Sequence, residues 1–398
     1  RAHHGVHRRQ RQMCIRDSIA GTSGKQSNMA SAFKSALPFW IGLSMGPIII
    51  AAALLGGFWI LSIPLVIWYV FQALDTVLGK EQTLHHPKKI CSYNGIGLTS
   101  YSGQFLQFLI LFGLIALNKA LDLNGWETSG LFFSLGMMTG TIGINYAHEL
   151  MHQPRRSYRW LADILMAMVL YSHFRSEHLL VHHRYVGTPR DAVTARYNEN
   201  VHRFFIRVLK ASYLSAFRAA ARRLARQGRD WYDLKNPFWI YWILQLFMLA
   251  FAYGLAGFWG VLLFVFQAFI TVFYLELINN LEHYGLTRKY LGNGRYEAVQ
   301  PHHSWNAEHR ATNWLLINLQ RHSDHHCKPS RAYPLLHTYP KQLATQLPYS
   351  YPIMGMIAVF PRLWRQVMNP KVTAWRAMHY PKISNWQLYN KGTNPPPN

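Results

Sequence analysis

The run Asn145-Tyr146-Ala147-His148-Glu149-Leu150-Met151-His152, followed further along by His178-Leu179-Leu180-Val181-His182-His183, decides how the rest of the chain is read. His148 and His152 are four residues apart, so on an α-helix both imidazoles leave the same face, about 5–6 Å apart at Cβ. His178 and His182 repeat that spacing, while His183, turned by about 100° from His182, must address something else. A third group, His322-Ser323-Asp324-His325-His326, gives the i, i+3, i+4 version of the pattern. Spacing of this kind suits chelation of a metal ion.

These groups lie beside long apolar blocks. Of 398 residues 50% are hydrophobic, and six blocks, at about 36–56, 57–78, 104–121, 128–147, 237–257 and 258–281, have the length and composition to span a bilayer. The expected fold is therefore an all-α integral membrane protein of about six transmembrane helices with a cytoplasmic, histidine-rich di-metal cap. Pro47 and Pro64 predict kinks, which membrane helices tolerate. Residues 1–35 are polar and basic without periodicity, lack the apolar core of a secretory signal, and read as a disordered or non-native arm. Residues 36–330 form the membrane-embedded domain. Residues 331–398 form a cytoplasmic carboxy-terminal cap of short helices with a Pro-rich tail.

Charge sets the orientation. With a cytoplasmic amino terminus, alternation puts the connection 79–103, with Lys80, Lys88 and Lys89, inside, and the acidic turn around Asp122 to Glu127 outside, as the positive-inside rule requires. The same parity places all three histidine groups at the inner face of the cell inner membrane. Residues 160–174 are apolar but too short to cross and predict a partly immersed helix, and 201–229 predict a basic amphipathic helix in the headgroup plane. The net charge of +24 is concentrated: residues 196–235 hold ten Lys/Arg against three acids, and no acid follows Asp324. Nucleic acid is excluded as the partner, because the basic residues flank membrane blocks, where they meet lipid headgroups, and no nucleic-acid-binding motif is present. Three cysteines, Cys14, Cys91 and Cys327, without Cys-x-x-Cys spacing, exclude a disulfide framework and a Cys-ligated cluster.

His283, at the inner end of the sixth block, adds a ninth histidine to His148, His152, His178, His182, His183, His322, His325 and His326. One ion takes at most about six such ligands, so nine imply two ions. Imidazole suits Zn, Cu, Fe or Ni alike. Any one pair alone is more often interfacial decoration, and His148-Glu149-x-x-His152 also matches the zinc-protease pattern with Glu149 as base; that reading leaves the other two groups idle. His85, His86, His173, His202, His302, His303, His309, His337 and His379 are left as packing or interfacial residues.

The sequence resembles the membrane-bound di-iron alkane 1-monooxygenases, relatives of the integral-membrane fatty-acid desaturases and of xylene monooxygenase. The resemblance covers about residues 36 to 340. It rests on Leu74-Asp75-Thr76 with Gly79, the run at 145–152, Glu177 to His183 continuing to Thr188-Pro189 and Ala195-Arg196, Glu282-His283-Tyr284-Gly285-Leu286, and His303-Ser304-Trp305-Asn306 through Asn313-Trp314 to Leu319–His326. The last two are particular to the alkane hydroxylase branch. Val181 stands where a glycine is usual before the paired histidines, and Asn280 where the family usually has tyrosine. The resemblance implies two iron ions, O2 as co-substrate, electrons from rubredoxin and its reductase, and oxygen insertion at the terminal carbon of an n-alkane.

Breaking an unactivated C–H bond requires a redox metal and a dry pocket, in agreement with that implication. Neutral imidazoles leave the metal charge uncompensated, so carboxylates are expected to orient their outer N–H groups. Among Glu149, Glu177, Asp191, Glu282 and Asp324, the favoured two are Asp191 and Glu282. The rival readings are a lipid desaturase or xylene-type methyl monooxygenase using the same irons, and a non-catalytic metal transporter. The transporter is disfavoured because the blocks carry no ionisable residue at mid-membrane, where an ion path needs one.

Overall fold

A computed structural model of the chain describes residues 37–81 and 94–394. The basic arm, the connection carrying His85, His86, Lys88, Lys89 and Cys91, and the last residues of the Pro-rich tail lie outside the described residues. The first apolar blocks are helices Leu37–Leu55 (α1) and Gly57–Leu78 (α2). The third belongs to Asn94–Leu117 (α3). The fourth is one continuous helix, residues 125–152 (α4), with a π turn at Thr139–Gly143. Pro237–His283 (α8), named ahead of the shorter helices α5–α7, is long and apolar enough to cross. Its 47 residues amount to about 70 Å of helix against a hydrocarbon core of about 30 Å. It is divided where the fifth and sixth blocks were separated, by non-helical Ala256 and Gly257. Gly257 has φ +61°, a left-handed conformation that a residue without Cβ adopts freely.

Three connections meet at one end of the bundle. The Asn124 side chain caps α4 in a reciprocal box with Glu127, which satisfies orphan amides at the helix start. Glu127 Oε1 also accepts the Gly57 N–H at 2.6 Å, which ties in the α1–α2 turn. Trp259 Nε1 donates to Asn118 Oδ1 at 3.0 Å, which ties in the break in α8. Helix α4 extends about 40 Å from this end, so His148 and His152 lie at the other, in agreement with the alternation derived from charge. Between the ends, α4 and α8 pack closely at Gly136, where a Cβ would stand 2.8 Å from the Gln267 carbonyl oxygen. Thr271 Oγ1 donates to the Gly136 carbonyl at 3.0 Å. Small residues of this kind let membrane helices approach. Phe58, Trp59, Leu246 and Phe258 remain exposed, as a lipid-facing surface requires.

Around the far end are helices Arg156–Ala167 (α5), an irregular helical segment at 174–185 (α6), and Val201–Ala225 (α7). Helix α7 is amphipathic as expected: Phe204, Phe205 and Val208 are buried, Arg203, Lys210 and Arg218 are exposed, and Phe205 packs edge-on to Phe269 and Phe273 of α8. Short helices Arg310–Leu315 (α9) and His322–Cys327 (α10) follow, with a two-residue parallel pairing of Trp305 with Thr345 and Asn306 with Gln346. The carboxy-terminal part holds Tyr351–Val359 (α11) and Pro361–His379 (α12). The second of these is 19 residues long and passes through Pro370, where the scattered prolines had suggested only short helices. Its face of Trp364, Met368, Val372 and Trp375 is buried, and Trp364 meets Tyr284 at 5.1 Å between ring centroids. Burying two tryptophans outweighs the roughly 3 kcal/mol of an interior proline.

Candidate metal centre

Four elements bring the nine histidines together. The last turn of α4 carries His148 and His152, α6 carries His178, His182 and His183, α8 ends on His283, and α10 carries His322, His325 and His326. The rings sort into two groups. In the first, ligand atoms of His148, His152, His178 and His325 lie within 4.8 Å of one another, and in the second those of His182, His283, His322 and His326 do. His183 joins the first group through Nε2, which is 2.9 Å from His178 Nε2, 3.3 Å from His152 Nε2 and 3.1 Å from His325 Nε2. In the second group His322 Nε2 is 3.0 Å from Nε2 of both His283 and His326.

The two groups cut across the clusters in the sequence. The helical spacing had paired His178 with His182, but 178–182 form a π turn. In a π turn the hydrogen bonds run i to i+5, so the residue returning to the face of His178 is His183, and His182 is sent to the second group. Helix α10 divides likewise: His322 and His326, one α-turn apart, serve the second group and His325 the first.

This donor set fits a pair of cations. His152, His178 and His183 present the same nitrogen to one another at 2.9–3.3 Å, and three mutually facing Nε2 atoms cannot all be satisfied by sharing protons. Metal–imidazole bonds of about 2.0–2.1 Å meeting at right angles put donor nitrogens about 3 Å apart. Nε2 of His148 and of His182 is buried with no hydrogen-bond partner. Burial, and after it the neighbouring rings, hold His178, His325 and His326 well below the ordinary imidazole range. Burial brings His152 down to about 4. The rings are thus kept neutral, the form that binds a metal.

The carboxylates differ in what they hold. Asp191 Oδ2 is 3.0 Å from His182 Nδ1 and accepts Thr194 Oγ1 at 2.7 Å, while Oδ1 accepts the Val193 N–H at 3.0 Å. This engages Nδ1 of His182 and leaves its Nε2 without a hydrogen-bond partner. Glu282 is placed otherwise: Oε2 lies 3.3 Å from His322 Nε2, the inward nitrogen, and Oε1 accepts the Tyr351 hydroxyl at 3.0 Å. It therefore faces the centre. Glu149 binds Gln153 Nε2 at 2.6 Å, and burial pushes its carboxyl up to about 7. Asp324 is held by Arg331, the His337 N–H and the Tyr339 hydroxyl, remote in role from any ring. Both oxygens of Glu177 are buried without a hydrogen bond.

One residue escaped the sequence reading. Glu276 lies inside the sixth block, buried, accepting from Tyr171 OH at 3.0 Å and Asn279 Nδ2 at 3.1 Å. An acid within an apolar span was the available signal. The histidines left out of the set keep other company: His173 meets Ser212, His202 the Val359 carbonyl, His303 Gln300 and Tyr380, and His302 stacks on His379. Only the backbone of His303 bears on the centre, against His283.

Comparison with known proteins agrees with this construction. The family described as fatty acid desaturase matches residues 124–358, the segment that holds all nine histidines. An alkane 1-monooxygenase 2 of Alcanivorax borkumensis is 34% identical over 355 residues, 85% of this chain and 90% of that protein. The chain belongs to the fatty acid desaturase family, in its alkane 1-monooxygenase branch. Another alkane 1-monooxygenase 2, from Pseudomonas aeruginosa, is 41% identical over 247 residues, 62% of this chain and 65% of that protein. An alkane 1-monooxygenase of Ectopseudomonas oleovorans is 38% identical over 249 residues, 63% of this chain and 61% of that protein. Membership in this monooxygenase branch makes the protein a membrane-bound oxidoreductase, and its buried histidine groups are those of a metal-dependent one.

Proposed function

We propose that the protein is an alkane 1-monooxygenase that hydroxylates n-alkanes at the terminal carbon, using O2, at two iron ions held by the nine histidines. The observation that carries this reading is a narrow cavity shared by both groups. Gly140, Ile144, Phe174, Leu275, Ile278, Leu316 and Leu319 form its apolar wall, and His148, His178, His322, Asn145 and Glu282 its polar end. In this reading an alkyl chain enters along the apolar wall, which must part to admit it, with its terminal carbon toward the polar end. The irons would supply the redox chemistry by which O2 attacks an unactivated C–H bond, which no protein side chain can supply.

The protein's own groups do the rest. Leaving the bilayer gains an alkane little, because lipid tails are equally apolar; selection therefore rests on the shape of the wall, at about 1–3 kcal/mol per methylene. The aliphatic residues exclude water from the polar end. Asp191 holds the His182 ring in one tautomer. Glu282, facing the centre from the second group, provides negative charge against two cations that nine neutral imidazoles leave uncompensated. The site faces the cytoplasm at the inner membrane. There rubredoxin, reduced by its reductase, delivers the two electrons that accompany each O2.

Cells expressing the protein and fed n-alkanes should accumulate 1-alkanols, read by gas chromatography with mass detection, and the purified protein should hold about two irons per chain. Alkenes without added oxygen would favour the desaturase reading, oxidation confined to aryl methyl groups the xylene type, and one zinc without iron the protease pattern.

A further inference from the structure

Asp191 and Thr194 also line a second cavity, about 270 Å³ in volume, apart from the substrate cleft. Four arginines stand in its wall: Arg190, Arg196, Arg207 and Arg376. Arg207 is neutralised by both oxygens of Glu199, at 2.7 Å each, and Asp191 is engaged by His182, Thr194 and Val193. Arg190, Arg196 and Arg376 have no carboxylate partner among the described residues. Arg376 is held rigidly, its guanidinium 4.5 Å from the Tyr197 ring centroid and 4.4 Å from that of Trp386, with one amine on Asn390 Oδ1. Its Nε is buried with no acceptor. Buried donors are normally satisfied, and Arg376 stands in the wall of a cavity where Arg190 and Arg196 also lack a carboxylate.

The depth of this cavity is fixed by its walls. Gly285 and Thr287 follow directly on the end of α8, and Arg207, Ala211 and Ser215 come from α7, the amphipathic helix whose Phe205 packs on α8 and whose Ile206 is exposed. The cavity therefore lies at the headgroup level. We infer that it is a binding site for a phosphate ester: guanidinium forks match phosphate oxygens, and at this depth the phosphate can come from the headgroup of an anionic phospholipid or from solution. The occupant steadies the loop 187–196, and with it the Asp191 that orients His182. This site is independent of which substrate the metal centre oxidises.

The test uses the full-length protein in detergent. Native mass spectrometry would compare retention of phosphatidylglycerol with that of phosphatidylcholine, and thermal melting would follow addition of inorganic phosphate. Arg196→Gln removes an exposed arginine, so folding is not at stake, and Arg376→Gln removes the half-buried one; Arg218→Gln, on the exposed face of α7 outside the cavity, changes the same charge. Phosphatidylglycerol should be retained over phosphatidylcholine, and about tenfold more weakly in Arg196→Gln while Arg218→Gln keeps it. A phosphate-induced rise in melting temperature that Arg196→Gln abolishes, with no lipid preference, supports the site and assigns its source to solution. Equal loss in Arg196→Gln and Arg218→Gln, or neither lipid preference nor a phosphate response, overturns the proposal.

Discussion

Replacing Asp191 with asparagine isolates one link of the metal centre. Three donors converge on this carboxylate: Thr194 Oγ1 at 2.7 Å, His182 Nδ1 at 3.0 Å and the Val193 N–H at 3.0 Å. Asparagine has the same shape but only one acceptor oxygen. If that oxygen stays with Val193, the new NH2 faces His182 Nδ1 and favours the tautomer whose proton sits on Nε2, the nitrogen a metal needs. Loss of such an orienting partner typically weakens a metal site 10- to 100-fold, about 1.4–2.7 kcal/mol. The effect should be confined to one ion, because His182 belongs to the group of His283, His322 and His326. Iron retained by purified Asp191→Asn protein under a graded chelator challenge, read by inductively coupled plasma mass spectrometry, should fall from about two per chain toward one, with the melting temperature kept by the apo form. Asp191→Glu should recover part of it. Retention of both irons with wild-type resistance would refute the orienting role, and simultaneous loss of both would refute the division into two groups.

Three further outcomes follow from the same geometry. Ile144 stands one turn before His148 on the cavity wall; Ile144→Ala should shift product from n-alkane mixtures toward longer chains by at least about tenfold, the scale of a single methylene, and an unchanged profile would remove Ile144 from the substrate path. Burial holds His148, His178, His183, His283, His322, His325 and His326 well below the ordinary imidazole value, and His152 at about 4. A group depressed in the folded state contributes no penalty above its unfolded value of about 6.5, and stability is lost as pH falls from there through the folded value. Metal-free protein should therefore melt progressively lower between pH 6.5 and 4, by up to about 1.4 kcal/mol per pH unit for each such histidine, and a flat profile would contradict their burial. Reduction by an acidic electron-donor protein should slow as salt rises above about 0.1 M if the basic cytoplasmic face steers it; a rate indifferent to salt would leave that charge to the lipids.

The apolar blocks were legible because helix length and bilayer thickness are matched quantities, and the breaks at Gly56 and Gly257 fell where composition put them. Membership of the nine histidines in one region was legible from spacing and from which side of the membrane each cluster faced. Their partition was not. A π turn is equivalent to one extra residue in an α-helix, and nothing in Leu179-Leu180-Val181 announces it, so counting at 3.6 residues per turn assigned His182 where His183 belongs. The face of Glu282 was illegible for a related reason: its neighbour His283 is a ligand, and adjacent residues on a helix diverge by about 100°, but which of several facing elements Glu282 meets depends on where α10 docks. Glu276 was legible in principle, as an acid within an apolar span, and the preference for continuous hydrophobic runs concealed it.

Division of the second and third histidine clusters between the two groups has a structural consequence. Helix α6 gives His178 and His183 to one group and His182 to the other, and α10 gives His325 to one and His322 with His326 to the other, so neither ion can be bound by one element alone. An ion in the first group would draw α10 onto the ends of α4 and α6, and one in the second would draw it onto α6 and the end of α8. Metal affinity would then be coupled to the docking of the chain beyond α8 on the bundle. The same docking completes the narrow cavity, because Leu316, Leu319 and His322 reach it from the chain beyond α8, while Ile144, Leu275 and Ile278 come from α4 and α8.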